Sequence, residues 1–318
     1  MVAALLLCVG CRRNGGSDVE VAYVATAQVN LRDRLAQVYN KVGVLQNGER
    51  VEVLERQRRF ARVRSSSGLE GWVEQRYLVG PEVFEAFNQL AAENKGAPSQ
   101  AHAITRAELN LHIGPSREAE LLYQLKEGDR VELIKRAVTE RKGTAPAKPD
   151  EKGKPILEDW WLVRDQQGRT GWVLGRILDV DLPLEIAQYA EGQRIVAYFV
   201  LNEVQDGERK VPQYLTLVTE PADGLPWDFS QIRIFTWNLR RHRYETAYRE
   251  RKLFGLLPAR TGVENFEKEG TLPVFVIRAK SGDAVIEKKY KLNGPMVRRV
   301  LSPGEEAAKP AAKTRKGR

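Results

Sequence analysis

Around residue 50 the chain alternates. Val51 and Val53 are separated and flanked by charged residues, the two-residue period of a strand with one face on a core. The same alternation returns at Val131 and Leu133. Between these stretches, Val83, Phe84, Phe87, Leu90 and Ala91 recur at helical spacing, behind Pro81 and ahead of Gly96. That spacing predicts an amphipathic helix with proline in its first turn and a glycine stop, packed on a neighbouring core. Residues 184–190 predict one or two further helical turns. Beyond them, residues 195–204 and 214–219 have strand composition, and Ile232, Ile234 and Thr236 alternate with Arg233, Phe235 and Trp237. Residues 274–279 and 284–290 flank Ser281-Gly282-Asp283, a hairpin signal.

The β-rich first half is an internal repeat. Ala27-Gln-Val-Asn-Leu31 returns as Ala107-Glu-Leu-Asn-Leu111, and Gly48-Glu-Arg-Val-Glu-Val53 as Gly128-Asp-Arg-Val-Glu-Leu133. Gly71-Trp72-Val73 matches Gly171-Trp172-Val173, and Leu78 matches Leu178. The later pairs share a larger offset than the earlier ones, so the second copy carries one insertion. Residues 141–155, rich in Lys, Pro and Gly, read as that insertion and as a solvated loop. Each copy has about sixty residues, near the lower limit for an autonomous core, and a closed barrel that leaves few free edges suits such a length.

The repeat resembles the bacterial Src-homology-3 family. The second copy has Asn110-Leu111, Gly114-Pro115-Ser116, Gly128, Trp160-Trp161-Leu-Val163 and Gly171-Trp172-Val173; the first has Asn30-Leu31-Arg32, Gly48, Phe60-Ala-Arg-Val63 and Gly71-Trp72-Val73. The first copy lacks Gly-Pro, and the second has His112 where the first has Arg32. The resemblance implies an SH3-like barrel that serves as a binding module. In this family such domains commonly ride on envelope proteins, and some bind cell-wall peptides.

The expected fold class is mainly β: two tandem SH3-like barrels joined by a short helix, plus a C-terminal β-sandwich or barrel. The expected boundaries are a leader and tether over 1–20, barrels over 21–80 and 101–182, a helical linker over 81–100, a β-rich domain over 183–302 and a disordered basic tail over 303–318.

Trp72 and Trp172 read as core filling, since large aromatics dominate small cores. Phe60, Trp160 and Trp161 are the candidate ligand-binding residues. Trp160 and Trp161 are adjacent, so on a strand they face opposite sides, and one of the two is expected to be exposed as a stacking surface. The spacing of His102, His112 and His242 matches no metal motif, and no nucleophile elbow, phosphate loop or zinc-helix motif is present. The chain is therefore expected to have no cofactor, no metal and no catalytic residues, and not to be an enzyme. A second reading makes the barrels targeting modules of a cell-wall hydrolase whose active site lies in 183–302.

Charge and cysteine use bear on location. The 318 residues carry 51 Lys and Arg against 42 Asp and Glu, a net charge of +9, which favours anionic partners. Only two cysteines occur, Cys8 and Cys11, behind a short apolar run too brief to span a bilayer. Gly10-Cys11 resembles a bacterial lipoprotein cleavage box, which implies lipidation at Cys11 and an extracytoplasmic, lipid-anchored location in the cell envelope. The expected partners are a cell-wall polymer or an envelope protein, with the membrane held through the lipid. Residues 237–252 mix basic and aromatic residues, but Glu245 and Glu250 dilute the charge. That segment reads as a solvated hairpin, and nucleic acid is not an expected partner.

Overall fold

The structure, a computed structural model, describes residues 19–141 and 155–301. Cys11, the insertion at 142–154 and the basic tail lie outside the described residues. The chain divides into two compact units, Met1–Pro81 and Glu82–Arg318.

The first unit holds β1 (Glu20–Val24), β2 (Gln28–Arg32), β3 (Lys41–Gln46), β4 (Arg50–Gln57), β5 (Phe60–Ser65), β6 (Glu70–Glu74) and β7 (Leu78–Val79). They form one sheet in the order β3-β2-β6-β5-β4-β1-β7. The alternating positions do what their period requires: Val51, Val53, Ala61, Val63 and Val73 meet Leu31 and Leu45 in the core, while Arg62 and Arg64 face water.

Helix α1 (Pro81–Asn94) leads into the second barrel: β8 (Ala101–Thr105), β9 (Leu109–His112), β10 (Leu121–Leu125), β11 (Arg130–Glu140), β12 (Leu157–Asp165), β13 (Thr170–Leu174) and β14 (Leu178–Val180). The strand order, β10-β9-β13-β12-β11-β8-β14, repeats that of the first barrel place for place. Even the bulges coincide, with the register slipping between Val53 and Glu55 and again between Leu133 and Lys135.

The Gly-Trp-Val motif has a packing cause. Each glycine lies where two strands approach most closely to close the barrel. A Cβ on Gly71 would stand 2.9 Å from Leu31 Cβ, and one on Gly171 would stand 2.7 Å from Leu111 Cβ. Only a residue without a side chain fits.

The C-terminal region holds α2 (Leu184–Ala187) and β15 (Arg194–Asp206), β16 (Arg209–Thr219), β17 (Phe229–Asn238), β18 (Arg243–Phe266), β19 (Gly270–Ser281), β20 (Ala284–Asn293) and β21 (Met296–Val300). The seven strands pair in chain order as one antiparallel sheet. β15 also packs on β18 and β19, so the sheet curls back on itself. The connections are short enough that each strand pairs with the next, and Phe229, Ile232, Ile234, Phe275 and Ile277 are fully buried along it.

The second barrel and this sheet interlock. Arg136 and Asp159 are both almost fully buried, and they pair at 2.7 Å. The same guanidinium reaches Asp228 at 3.1 Å and the carbonyl of Trp227 at 2.9 Å. Gly224 N donates to Asp159 at 2.8 Å, which brings the loop before β17 onto β12.

Candidate functional site

Phe60 and Trp160 occupy the same place in the two barrels, as the first residues of the repeated strand segment, and they point away from the barrel core. Their surroundings differ. In the second barrel Trp160 packs with Ile134, Leu162 and Trp172, and Leu90 and Ala97 from α1 and its exit close over them. Phe87 of α1 meets the Tyr123 ring edge-on at 5.4 Å. Arg164 caps the helix by donating to the carbonyls of Asn94 at 2.9 Å and Ala97 at 3.0 Å. His112 stands edge-on to Trp160 at 5.3 Å. Burial pushes the His112 imidazolium below its usual range, against the pull of its contact with the Ala119 carbonyl.

In the first barrel the same face carries Arg32, Leu54, Phe60, Arg62, Trp72 and Glu74. Arg62 and Glu74 replace Leu162 and Leu174, and Arg32 replaces His112. Trp72 pairs across the sheet with Arg62 on one side and Arg32 on the other. The Arg32 guanidinium lies between two rings, 4.4 Å from the centroid of Tyr39 and 5.3 Å from that of Phe60. It also reaches Glu74 at 3.4 Å. Arg59 approaches Phe60 at 5.2 Å. The result is a solvated face that offers a half-buried indole flanked by two guanidiniums. Such a face can stack on a planar group and donate several hydrogen bonds to a carboxylate or carbonyl.

Of the three predicted ligand-binding residues, Phe60 belongs to this face, though the ring itself is 8% exposed beneath the arginines. Trp160 and Trp161 do face opposite sides, but neither is exposed. Trp160 is 1% and Trp161 7% accessible, because α1 covers one side of the strand and the C-terminal sheet approaches the other. The expectation that one of them is open is therefore corrected. Trp172 is core filling as expected, while Trp72 is only half buried and lies outside the core cluster. Sequence reasoning missed Arg32 and Tyr39; the one available signal was the arginine of Asn-Leu-Arg, which the second copy lacks.

The basic stretch at 237–252 is part of the β17–β18 hairpin. Trp237 donates to Asp206 at 2.8 Å, His242 contacts the same carboxylate, and Arg241 and Arg243 both reach Glu245. Arg241 and Arg243 thus share one carboxylate, and Arg249 reaches Glu191 at 3.6 Å. Among the described residues no group of three His, Cys, Asp or Glu is placed to hold a metal ion.

Residues 27–79 and 107–179 both match the bacterial SH3 domain family. No curated protein matches the chain. Similar solved structures include an NlpC/P60 family protein from Bacillus cereus ATCC 10987, 11% identical over 58% of this chain and 65% of that one, with a TM-score of 0.24. The aligned part is less than two thirds of the Bacillus chain. NlpC2 and NlpC1 from Trichomonas vaginalis are each 9% identical, over 74% and 77% of this chain and 97% and 92% of theirs, both with a TM-score of 0.18. The expectation that the chain is not an enzyme does not stand beside these matches, which are named as an NlpC/P60 family protein and as NlpC2 and NlpC1. At such TM-scores none of their chemistry carries over to particular residues here.

Proposed function

We propose that the bacterial SH3 domains at residues 27–79 and 107–179 divide their labour, the first binding cell-wall material and the second joining α1 and the C-terminal sheet into one body. The observation that supports this is the unequal treatment of one face. In the second barrel it is apolar and shut by α1; in the first it is charged and leaves Trp72 partly exposed between Arg32 and Arg62. Cell-wall peptides present carboxylates and amides that suit paired guanidiniums and an indole. With Cys11 lipidated, the protein would hold this face near the envelope. The proposal concerns what the barrels bind and is independent of any reaction the remaining polypeptide performs.

The test is sedimentation of the full chain with purified cell wall. Trp72→Ala and Arg32→Gln should each weaken binding about tenfold, the size expected for losing one good stacking or charge-assisted contact. Retention of wild-type binding by both variants would overturn the reading. Capture of solubilised envelope proteins with no binding to the wall would replace the polymer with a protein partner.

A further inference from the structure

A cavity of about 580 Å³ opens between the second barrel and the C-terminal sheet, a size within the range of roughly 300–1,000 Å³ usual for small-molecule sites. Two differences between the repeats create it. In the first barrel Gln75 seals the corresponding end: its amide donates to the carbonyls of Arg58 at 3.0 Å and Phe60 at 2.9 Å, and accepts from Arg56 at 3.0 Å. The matching residue of the second barrel is Gly175, which leaves that space empty. Ala61, a member of the first core, is matched by Trp161, whose ring becomes a wall of the cavity. A Cβ at Gly175 would stand 3.1 Å from Trp161 Cδ1, so the ring packs closely on this glycine. Ile195 of β15 also lines it and is itself almost fully buried.

The polar groups at the cavity favour an anion. Arg106, Arg176 and Arg194 line it beside Asp179 and Asp223, and of the three guanidiniums Arg106 and Arg176 are exposed enough to turn toward a ligand. Arg106 pairs with Asp179 at 3.4 Å, but both side chains are more than half exposed. Such a pair contributes little and is easily exchanged for an incoming anion. Arg194 is held by Asp159 at 3.4 Å and Asp223 at 3.1 Å. Arg176 is exposed, and its charge contributes, after that of Arg117, to holding the Glu158 carboxyl low.

We propose that this cavity is a binding site for a small carboxylate bearing an apolar group, with the apolar part along Leu178, Val180 and Leu182 and the carboxylate at Arg176 and Arg106. The site belongs to the second barrel and is separate from the face proposed to hold the cell wall. Arg176 has a counterpart in Arg76, but Gly175, Trp161 and Arg106 are matched in the first barrel by Gln75, Ala61 and Thr26.

The experiment uses the full chain with 4-phenylbutyrate and its uncharged amide, 4-phenylbutyramide, followed by saturation-transfer NMR and tryptophan fluorescence. The carboxylate should bind with a Kd of about 1 mM, the scale for a ligand of this size. The amide should bind at least about fivefold more weakly, and Arg176→Gln should weaken the carboxylate about threefold. Gly175→Gln, which restores the residue of the first barrel, should abolish binding, while Trp72→Ala should leave it unchanged. Should Gly175→Gln lower the melting temperature, the exposed Arg176→Gln decides the matter, since it disturbs no packing. The proposal is overturned if neither probe binds at about 20 mM, if carboxylate and amide bind equally, or if a folded Gly175→Gln binds as the wild type does.

Discussion

The side-chain amide of Gln100 closes on both backbone groups of Ala259. Ala259 N donates to Oε1 at 2.8 Å, and Nε2 donates to the Ala259 carbonyl at 3.4 Å. The backbone carbonyl of Gln100 also accepts from Tyr198 N at 3.2 Å. Gln100 therefore acts as a short added strand between β8 and the C-terminal sheet. It does so where β18 needs it, since the β18–β19 register slips between Leu256 and Arg260 and leaves Ala259 without a ladder partner there.

Gln100 is fully buried, so truncation leaves a donor and an acceptor without water to replace them. Gln100→Ala should lower the unfolding free energy of the 82–301 unit by about 1–3 kcal/mol. Urea denaturation followed by circular dichroism measures this. A midpoint equal to that of the wild type would mean that the amide pairing adds nothing to the junction.

Arg136 poses a harsher case. Asp159 is 4% exposed, and Arg136 supplies its closest positive charge. Arg136→Met should cost roughly 3 kcal/mol, because it leaves a buried carboxylate with only Gly224 N and the more distant Arg194, at 3.4 Å. Arg136→Met combined with Asp159→Leu should recover much of that loss, since replacing a buried pair with apolar groups is often nearly neutral. Recovery will be incomplete, because Gly224 N loses its acceptor and Asp228 its cation. Equal losses in the single and double variants would show that the pair itself, and not the stranded charge, sets the stability.

These contacts also mark where the sequence stops being legible. The repeat, the helix and the Gly-Trp-Val strands are written in local spacing, and a two-residue or helical period survives in any context. The parity of Trp160 and Trp161 was equally readable. What covers each ring was not, because α1 is about seventy residues upstream of Trp160 and β15 lies beyond the barrel altogether. No local spacing singles out Arg136. Its burial depends on Asp228 and on carbonyls some ninety residues away. The open face of the first barrel was half visible: Phe60 was a candidate, but Trp72 resembled Trp172 too closely for the motif alone to separate them.

His112 gives the second barrel a pH dependence of predictable sign. Burial beside Trp160 lowers its pKa from the usual 6.5, and the nearby Arg117 adds to the effect. The unfolded chain thus binds a proton that the native state refuses, so stability rises with pH between the two values. The stability is fully present above about pH 6.5 and falls as the pH drops through that value toward the lower native pKa. Carboxylates such as Glu158, held low by Arg117, contribute a like-signed loss only as the pH nears 4.5. Denaturation midpoints of wild type and His112→Gln between about pH 7 and pH 5 should therefore diverge, the wild type declining and the variant nearly flat. Parallel curves would place the acid sensitivity elsewhere.

Trp72 and Trp172 offer the sharpest separation of structure from binding, because the same motif places them at the same position. Trp172 packs with Trp160, Leu162 and Ile134 beneath α1. Trp172→Ala should leave a cavity the helix cannot fill and cost about 3–5 kcal/mol. Trp72 is only partly buried on a charged face, where water can take the place of the lost ring. Trp72→Ala should cost less than about 1.5 kcal/mol and show its effect in cell-wall binding instead. Thermal melting of the two variants, set beside sedimentation with cell wall, resolves the two roles. Because the first barrel belongs to a separate compact unit, the two substitutions should also affect different transitions in a calorimetric scan. A large loss of stability from Trp72→Ala, equal to that from Trp172→Ala, would make both rings structural and remove the indole from the proposed binding face.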